Sequence, residues 1–338
     1  MTKQQQAKDS VQHDREIAKL KEENVILKQK YNLVSKELKE TIKQSEVLSK
    51  LQHNVAKDTL KTLKPSGDST AILIISDIHA EETVDPLTIN DLNTFNLDIA
   101  SKRIKSCFER AHMLIDVCRG LTKIDSLVIA LLGDNITGYI HDELIESNSL
   151  SPTEASIFVM DHLIQGMRFL KRESKFKEII VPTCQGNHGR TTQERRCATY
   201  YSNSYEWLMY KTMERLMKND PGITFKITNG YFNWLQVQGY DIRYHHGDNI
   251  RYAGGVGGIS IPVNKAIAQW NKIQVADYDY FGHYHQSINY NRWCCNGSII
   301  GYNAYALSIK ADYEVPSQTL SIMNKQRGKI FTDKVFCD

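Results

Sequence analysis

The chain divides into two parts that differ in the pattern of their hydrophobic and polar residues. Over residues 1–62, apolar side chains recur at intervals of three and four. From residue 70 onward, short continuous apolar runs alternate with longer amphipathic stretches. The first pattern is typical of a long surface helix, and the second of buried strands and the helices packed on them. The sequence therefore predicts an N-terminal helix over 1–62, a linker over 63–69 and an α/β domain over 70–338.

A heptad repeat fits the N-terminal segment. Asn24 falls at an a position, where two copies of the side chain can pair and fix the register of a parallel dimer. We therefore predict a coiled-coil homodimer, with a single solvated helix as the alternative because the repeat weakens toward its end. The a positions are Ile17, Asn24, Tyr31, Leu38 and Ser45, and the d positions are Leu20, Leu27, Val34, Thr41 and Leu48.

Strands alternate with helices in the first half of the larger part, which indicates an α/β core. Its second half is mostly β, which favours a two-sheet sandwich flanked by helices over one doubly wound sheet. The predicted strands are 71–75, 126–132, 178–183, 223–227, 231–238, 241–245, 279–281, 288–293, 298–301, 318–323 and 329–336, and the predicted helices are 98–119, 153–172, 199–218 and 260–273.

Composition narrows the class of protein. Hydrophobic residues make up 41% of the 338, and the formal net charge of +3 does not indicate a global attraction to nucleic acid. Seven cysteines without a CxxC pair argue for a reducing compartment. The N-terminus lacks the apolar core of a signal peptide, and no apolar run is long enough to span a membrane. We therefore expect a cytoplasmic protein with no membrane partner.

Candidate metal ligands follow five of the predicted strands. Functional groups collect beyond the carboxyl ends of strands in α/β sheets, so these segments are expected to share one cleft. Carboxylate, imidazole and amide ligands suit Mn, Fe or Zn in a hydrolytic site better than a thiolate zinc site. Each segment alone is a common turn, but the ordered set of five predicts a two-metal centre. The segments are Asp77-Ile78-His79, Gly133-Asp134-Asn135, Gly186-Asn187-His188, His245-His246-Gly247-Asp248 and Gly282-His283-Tyr284-His285.

This series, D-x-H, G-D-N, G-N-H, H-G and G-H-x-H, resembles the calcineurin-like metallophosphoesterase superfamily over roughly residues 70–300. The stretch at 133–144 further resembles phage-type members described as exonuclease-like phosphoesterases. The resemblance implies a four-layer α/β/β/α sandwich with a catalytic domain over 70–338. It also implies a hydrolase of phosphoric esters that uses two divalent metal ions, Mn²⁺ first, with Fe or Zn as alternatives.

The resemblance assigns a role to each motif residue. Asp134 would bridge both ions, a hydroxide between the ions would be the nucleophile, and His188 would protonate the leaving oxygen or stabilise the transition state. We choose His246 over His245 because His246 precedes Gly247 and successive strand residues face opposite sides. The first metal would be held by Asp77, His79 and His285, and the second by Asn187, His246 and His283, with Asp134 shared.

Gly189 follows His188 at a position where many relatives carry an acidic residue. The residue that orients His188 is therefore open, and the branch of protein serine/threonine phosphatases is disfavoured. Three residues are candidates for contact with substrate: Asn135, which could instead support the metal ligands, and Arg190 and His141, either of which could be a solvated turn residue. A glycine-rich segment at 254–258 could be a phosphate cradle or a mobile lid.

Three functions follow from these patterns. The first is a phosphodiesterase that acts on DNA or RNA as a nuclease, which the narrower resemblance favours. The second is a phosphatase or small-nucleotide phosphodiesterase with the same metal centre, which the near-neutral charge favours. The third, from another class, is a coiled-coil assembly protein with a vestigial site.

Overall fold

A computed structural model describes residues 3–53, 67–252 and 258–338. The chain divides into two compact units, Met1–Leu63 and Lys64–Asp338. Most of the predicted linker lies outside the described residues, and so does the glycine-rich segment except for Gly258.

The first unit contains one long helix, α1, at Lys3–His53. Its apolar residues face solvent, from Ile17 at 37% exposed to Tyr31 at 72% exposed. Six of the predicted a and d side chains have this environment: Ile17, Leu20, Leu27, Tyr31, Val34 and Leu38. The side chain of Leu48 lies outside the described residues. Helix formation in this segment is confirmed, whereas the pairing of two such helices stays a prediction.

The second unit contains two β-sheets, which confirms the predicted mixed α/β class with two sheets. The first sheet has the strand order β11-β10-β1-β2-β3-β4, with β1 to β4 parallel and β10 and β11 antiparallel. Its strands are β1 Asp68–Ile75, β2 Lys123–Leu131, β3 Glu178–Thr183, β4 Ile223–Ile227, β10 Ser317–Asn324 and β11 Gly328–Phe336. The second sheet has the order β5-β6-β7-β9-β8, and β6, β7 and β9 are parallel. Its strands are β5 Asn233–Val237, β6 Tyr240–Tyr244, β7 Tyr278–Phe281, β8 Ile288–Asn289 and β9 Trp293–Cys295.

The helices of this unit occupy most of the positions predicted from amphipathic spacing. Helix α4 begins as expected after Ser151, whose side chain forms a capping box with Glu154. None of the helices in the described parts of the chain has the length and apolar content needed to cross a membrane. The helices are α2 Leu97–Arg119, α3 Asp142–Ser147, α4 Pro152–Glu173, α5 Tyr205–Leu216, α6 Ser260–Trp270 and α7 Ala304–Ser308.

Strand β1 is buried on both faces, as its continuous apolar run predicts. Leu73 and Ile75 belong to a hydrophobic cluster that also contains residues of α2, α4 and α5. Ile72 and Ile74 face the other way, into a second cluster with residues of β5, β6, β7 and β9 from the second sheet. A third cluster joins α6 to the far side of that sheet through Val263. The side-chain alternation of one strand thus contributes to two separate cores.

Three local predictions need correction. No strand forms at 298–301, where Ile299 donates a main-chain hydrogen bond to the Asp77 carbonyl and so holds the loop against the metal-ligand segment. The predicted helix at 199–218 begins only at Tyr205, after a short 3₁₀ turn at Tyr201–Asn203. The short helices α3 and α7 were not predicted, because one or two turns carry too little periodicity to be recognised.

Candidate metal centre

The carboxyl ends of five strands bring the predicted ligand segments together. Main-chain hydrogen bonds join the loops that follow β1 and β2, from Asp77 N to Gly133 O (3.0 Å) and from His79 N to Asp134 O (3.1 Å). A bond of 2.7 Å from Gly282 N to His246 O joins the loops that follow β7 and β6 in the second sheet. All seven predicted ligands therefore lie at adjoining edges of the two sheets.

Asp77, His79 and His285 form one group that could hold a metal ion, with ligand atoms within 4.8 Å of one another. The distance from His285 Nε2 to Asp77 Oδ1 is 3.6 Å. His79 Nδ1 lies 3.2 Å from the Thr137 hydroxyl, while His79 Nε2 is buried with no hydrogen-bond partner among the described residues. A buried nitrogen without a partner is costly unless it binds something, so the group fits a metal ion.

Asp134, His246 and His283 form a second such group. His246 Nε2 lies 2.8 Å from Asp134 Oδ2 and 3.2 Å from the amide oxygen of Asn187. His246 Nδ1 donates to the Leu132 carbonyl at 2.7 Å, which directs Nε2 toward the other donors, as carbonyl partners commonly do for metal-binding histidines. His245, in contrast, is stacked on Phe281 at 5.1 Å, away from this group.

The electrostatics of the first group favour metal binding at neutral pH. Burial, followed by the neighbouring histidines, lowers the pKa of His79 well below its ordinary value. Burial likewise lowers the pKa of His285 to about 3 and that of His283 well below 6.5. Neutral imidazoles offer the lone pair that a metal needs. Burial raises the pKa of Asp77 to about 7, although the nearby His246 acts to lower it.

Asp134 and His246 behave as an ion pair. Burial alone would raise the pKa of Asp134, but His246 and His188 hold it well below its ordinary value. Burial opposes a charged His246, yet the contact with Asp134 raises the pKa of this histidine to about 10. Asp134 therefore carries its negative charge in a dry environment, where one cation already satisfies it. A metal ion held by His246 would take the place of the proton that this ring carries in the ion pair.

His188 is oriented by a main-chain carbonyl. Its Nδ1 lies 2.9 Å from the Thr137 carbonyl oxygen, so Nδ1 carries the proton and Nε2 is the nitrogen available for proton transfer. Its main-chain N–H donates to Asp134 Oδ1 at 2.8 Å. Glu81 in turn fixes the segment of Thr137, because its Oε1 accepts from the N–H groups of Thr137 and Gly138 at 2.8 Å each. This arrangement supplies the orienting partner that the residue at 189 does not provide.

Glu206, at the start of α5, was not predicted to belong to this region. Its Oε1 accepts from the main-chain N–H of Asn135 (2.7 Å) and from the Asn135 amide (3.0 Å), and its Oε2 accepts from Gly186 N (2.7 Å). The side chain is completely buried. No motif marks this glutamate in the sequence, since its partners are reached only through the fold.

One glycine allows the two central loops to approach each other closely. A Cβ atom at Gly186 would lie 2.1 Å from both the main-chain nitrogen and Oδ1 of Asp134. No real Cβ atom tolerates such a distance, so any side chain here would displace the shared carboxylate. The close approach of the two loops therefore requires a glycine directly before Asn187 for steric reasons.

Five of the predicted ligands have a left-handed backbone conformation, which is uncommon for residues other than glycine. They make up half of the ten non-glycine residues with positive φ in the described parts of the chain. Each costs roughly 1–2 kcal/mol relative to a right-handed conformation, and such outliers concentrate at functional sites. They are Asp77 (φ 53°), His79 (47°), Asp134 (50°), His283 (74°) and His285 (54°).

The three predicted substrate residues have different environments. Asn135 is buried and donates to Glu206 and Tyr210, so the structure places it beside the metal ligands and not in the cavity. The guanidinium of Arg190 donates hydrogen bonds to main-chain carbonyls, including that of Asn187 at 2.7 Å. His141 precedes α3 and lines the cavity described next.

A cavity of about 970 Å³ opens beside the metal ligands and is lined by His188, His79 and His285. Its outer wall carries carboxylates, and no Lys or Arg occurs among the described residues that line it. Burial raises the pKa of Glu82 to about 7, so this residue contributes little negative charge to the wall. The negative charge of the wall therefore comes from its exposed acidic residues. These are Asp85, Glu143 and Glu146.

No protein-family model and no curated protein matches the chain. Similarity to solved structures is weak. Vps29 complexed with Zn²⁺ from Entamoeba histolytica is 11% identical, with 79% of this chain and 99% of that chain covered and a TM-score of 0.30. The hypothetical protein PH1004 from Pyrococcus horikoshii is 11% identical over 80% of this chain and 89% of that chain, with a TM-score of 0.39. Phosphopantetheinyl hydrolase from Mycobacterium tuberculosis is 14% identical over 62% of this chain and 54% of that chain, with a TM-score of 0.21. At these TM-scores none of the similarities bears on the chemistry of the metal centre.

Proposed function

We propose that the chain is a metal-dependent hydrolase of phosphoric esters. The observation that carries this proposal is the position of Asp134 beside a cavity. Its carboxylate belongs to two overlapping groups that could hold a metal ion, one with His79 and His188 and one with His246 and His283. Two divalent ions bound there would activate water and stabilise the charge on a phosphoryl group. The order of the motifs and the hydrophobic clusters on both faces of each sheet support the four-layer metallophosphoesterase fold.

The side chains of the protein have separate tasks in this reaction. Asp134 holds the two groups of ligands at a fixed spacing. His188 lines the cavity with Nδ1 bonded to the Thr137 carbonyl, so Nε2 is the nitrogen that would take up a proton from the attacking water, form the imidazolium and pass that proton to the leaving oxygen. The loops after β1 and β2 exclude water from the buried faces of the ligands.

The charge of the cavity wall favours a small substrate over a nucleic-acid strand. A strand that entered the cavity would place its neighbouring phosphates against Glu143 and Glu146, whereas proteins that follow a phosphate backbone line its path with Lys and Arg. A monoester or small diester with a neutral or cationic alcohol avoids this repulsion. The nuclease interpretation keeps the support of the narrower sequence resemblance and stays the second candidate.

A substrate panel tests the proposal. With Mn²⁺ bound, we expect the protein to hydrolyse p-nitrophenyl phosphate, bis-p-nitrophenyl phosphate or small nucleotides faster than oligonucleotides, and chelation should stop the reaction. Reversing the charge of the wall with Glu143→Lys and Glu146→Lys should raise kcat/KM for oligonucleotides and leave p-nitrophenyl phosphate within about threefold, because exposed charges act mainly on charged ligands.

Two results would count against this interpretation. Efficient cleavage of DNA or RNA by the unaltered chain, without turnover of small esters, would establish the nuclease instead. Full metal occupancy without hydrolysis of any phosphoester would favour the assembly protein with a vestigial site.

We also propose that α1 pairs with a second copy of itself as a parallel coiled coil. The exposed apolar residues at the a and d positions support this, since pairing would bury them, and Asn24 would fix the register. A seam of this kind gains roughly 25 cal/mol per Å² of apolar surface removed from water.

Substitutions on α1 test the pairing. Leu20→Glu with Leu27→Glu should convert a dimer to a monomer in sedimentation experiments and leave hydrolysis unchanged, because the metal ligands all belong to the second unit. Ile26→Glu is the matched control. This residue is also apolar and exposed, but it lies at a c position outside the seam. Equal effects of the two changes, or a wild-type monomer, would exclude the predicted coiled coil.

A further inference from the structure

Glu206 belongs to no metal-binding group, yet its carboxylate is completely buried next to two of the metal-ligand loops. We propose that Glu206 is a positioning residue that sets the spacing between the Asp134 loop and the Asn187 loop. The inference rests on the metal centre proposed above and adds a residue that contacts no metal ion.

The two carboxylate oxygens of Glu206 serve different loops. Oε1 accepts two hydrogen bonds from Asn135, the residue directly after Asp134. Oε2 accepts one from the main-chain N–H of Gly186, the residue directly before Asn187. The rigid carboxylate of Glu206 thus joins both loops. Its size sets the distance between the main chain at Asp134 and the main chain at Asn187.

Position 189 has no room for a side chain while Glu206 is present. A Cβ atom at Gly189 would lie 2.7 Å from Cγ of Glu206 and 3.2 Å from its Oε2. The carboxylate of Glu206 therefore fills the space that a side chain at 189 would enter. The main chain holds the two together, because Tyr205 N donates to the Gly189 carbonyl at 2.8 Å.

The surroundings of Glu206 offer only donors for its oxygens. Asn135 gives its second amide hydrogen to the Tyr210 hydroxyl at 2.8 Å, and this hydroxyl lies 3.3 Å from the Cys184 carbonyl. In glutamine an NH₂ group takes the place of one carboxylate oxygen. In either orientation of the amide, this NH₂ donor would face an N–H donor of Asn135 or Gly186. An isosteric change from Glu to Gln thus removes the positioning function and keeps the shape of the side chain.

The test compares metal binding and turnover in Glu206→Gln and in the unaltered full-length chain. We expect the Kd for Mn²⁺ in calorimetry to rise at least tenfold and kcat to fall at least tenfold, with the circular dichroism of the metal-free protein unchanged. Glu214→Gln is the matched control, because Glu214 lies on the same helix and is paired with Lys211 at the surface. Unchanged Mn²⁺ affinity and kcat in Glu206→Gln would overturn the proposal.

A second variant covers the case in which Glu206→Gln does not fold. In Glu206→Ala with Gly189→Glu, the carboxylate would reach the same N–H groups from position 189. Folding with a Kd for Mn²⁺ within tenfold of the unaltered chain supports the inference, and a folded protein that binds no Mn²⁺ or a failure to fold contradicts it. Mn²⁺ binding without hydrolysis in the unaltered chain would refute the proposed function alone, whereas absence of Mn²⁺ binding would refute both.

Discussion

Asp134→Ala is expected to abolish phosphoester hydrolysis, with kcat/KM reduced by about a thousandfold or more, which corresponds to roughly 4 kcal/mol of transition-state stabilisation. The reason is that the Asp134 carboxylate groups with His79 as well as with His246 and His283, and its Oδ1 accepts the main-chain N–H of His188. Removing it takes a ligand from each ion and leaves His246 without its partner at 2.8 Å.

Elemental analysis of the purified variant, together with turnover of p-nitrophenyl phosphate, will measure this effect. We expect less than one metal ion per chain. Asp161→Ala, at an exposed position on α4, is the control for loss of an aspartate in general. Asp134→Asn preserves size if the alanine variant does not fold. Near-normal turnover in either Asp134 variant would show that the site assignment is wrong.

His188→Gln is expected to lower kcat by about 100- to 10,000-fold, the usual contribution of a positioned general acid, and to leave both metal ions bound. His188 is held by the Thr137 carbonyl and lines the cavity, and in the proposed centre the two ions take their ligands from the other residues. The His188→Gln variant should therefore keep its metal content while its kcat falls, whereas Asp134→Ala should lose both metal and activity.

The choice of substrate makes this prediction sharper. If His188 protonates the leaving oxygen, the loss should be large for alkyl phosphates and small for p-nitrophenyl phosphate, whose leaving group needs no proton. His162→Gln is a matched control. His162 is half-buried, its ring is bonded to Ser101 and to the Phe158 carbonyl, and it does not line the cavity. Equal losses for both leaving groups would assign His188 to charge stabilisation, and loss of metal would make it a ligand.

The positions of the ligands could be predicted because they depend on local sequence and on simple topology. Each strand is marked by an apolar run, and each ligand segment follows one directly. Since the carboxyl ends of parallel strands share an edge, the order of the motifs was enough to place Asp77, Asp134 and Asn187 in one region. The choice of His246 over His245 followed from its position before Gly247, together with the alternation of strand side chains, and the structure turns His246 toward Asp134.

The supporting residues could not be predicted, because they act through contacts between distant parts of the chain. Thr137 orients His188 with a main-chain carbonyl, which every residue possesses, so no side-chain signal exists. Glu206 reaches its partners only once α5 packs beside the third motif. The strand predicted at 298–301 was wrong for a related reason. It contains the apolar pair Ile299 and Ile300, but Ile299 bonds to the loop of Asp77 instead of a neighbouring strand.

The left-handed backbone at five metal ligands also has an evolutionary consequence. At each of these positions glycine would be the more stable residue for the fold alone, by about 1 kcal/mol or more. A lineage that no longer needed metal ions would gain stability by mutation at these sites, and drift would favour such changes. This chain has aspartate or histidine at all five positions, from Asp77 to His285, so its fold carries this cost throughout the proposed centre. A decayed relative should show its first substitutions here, before its hydrophobic cores change.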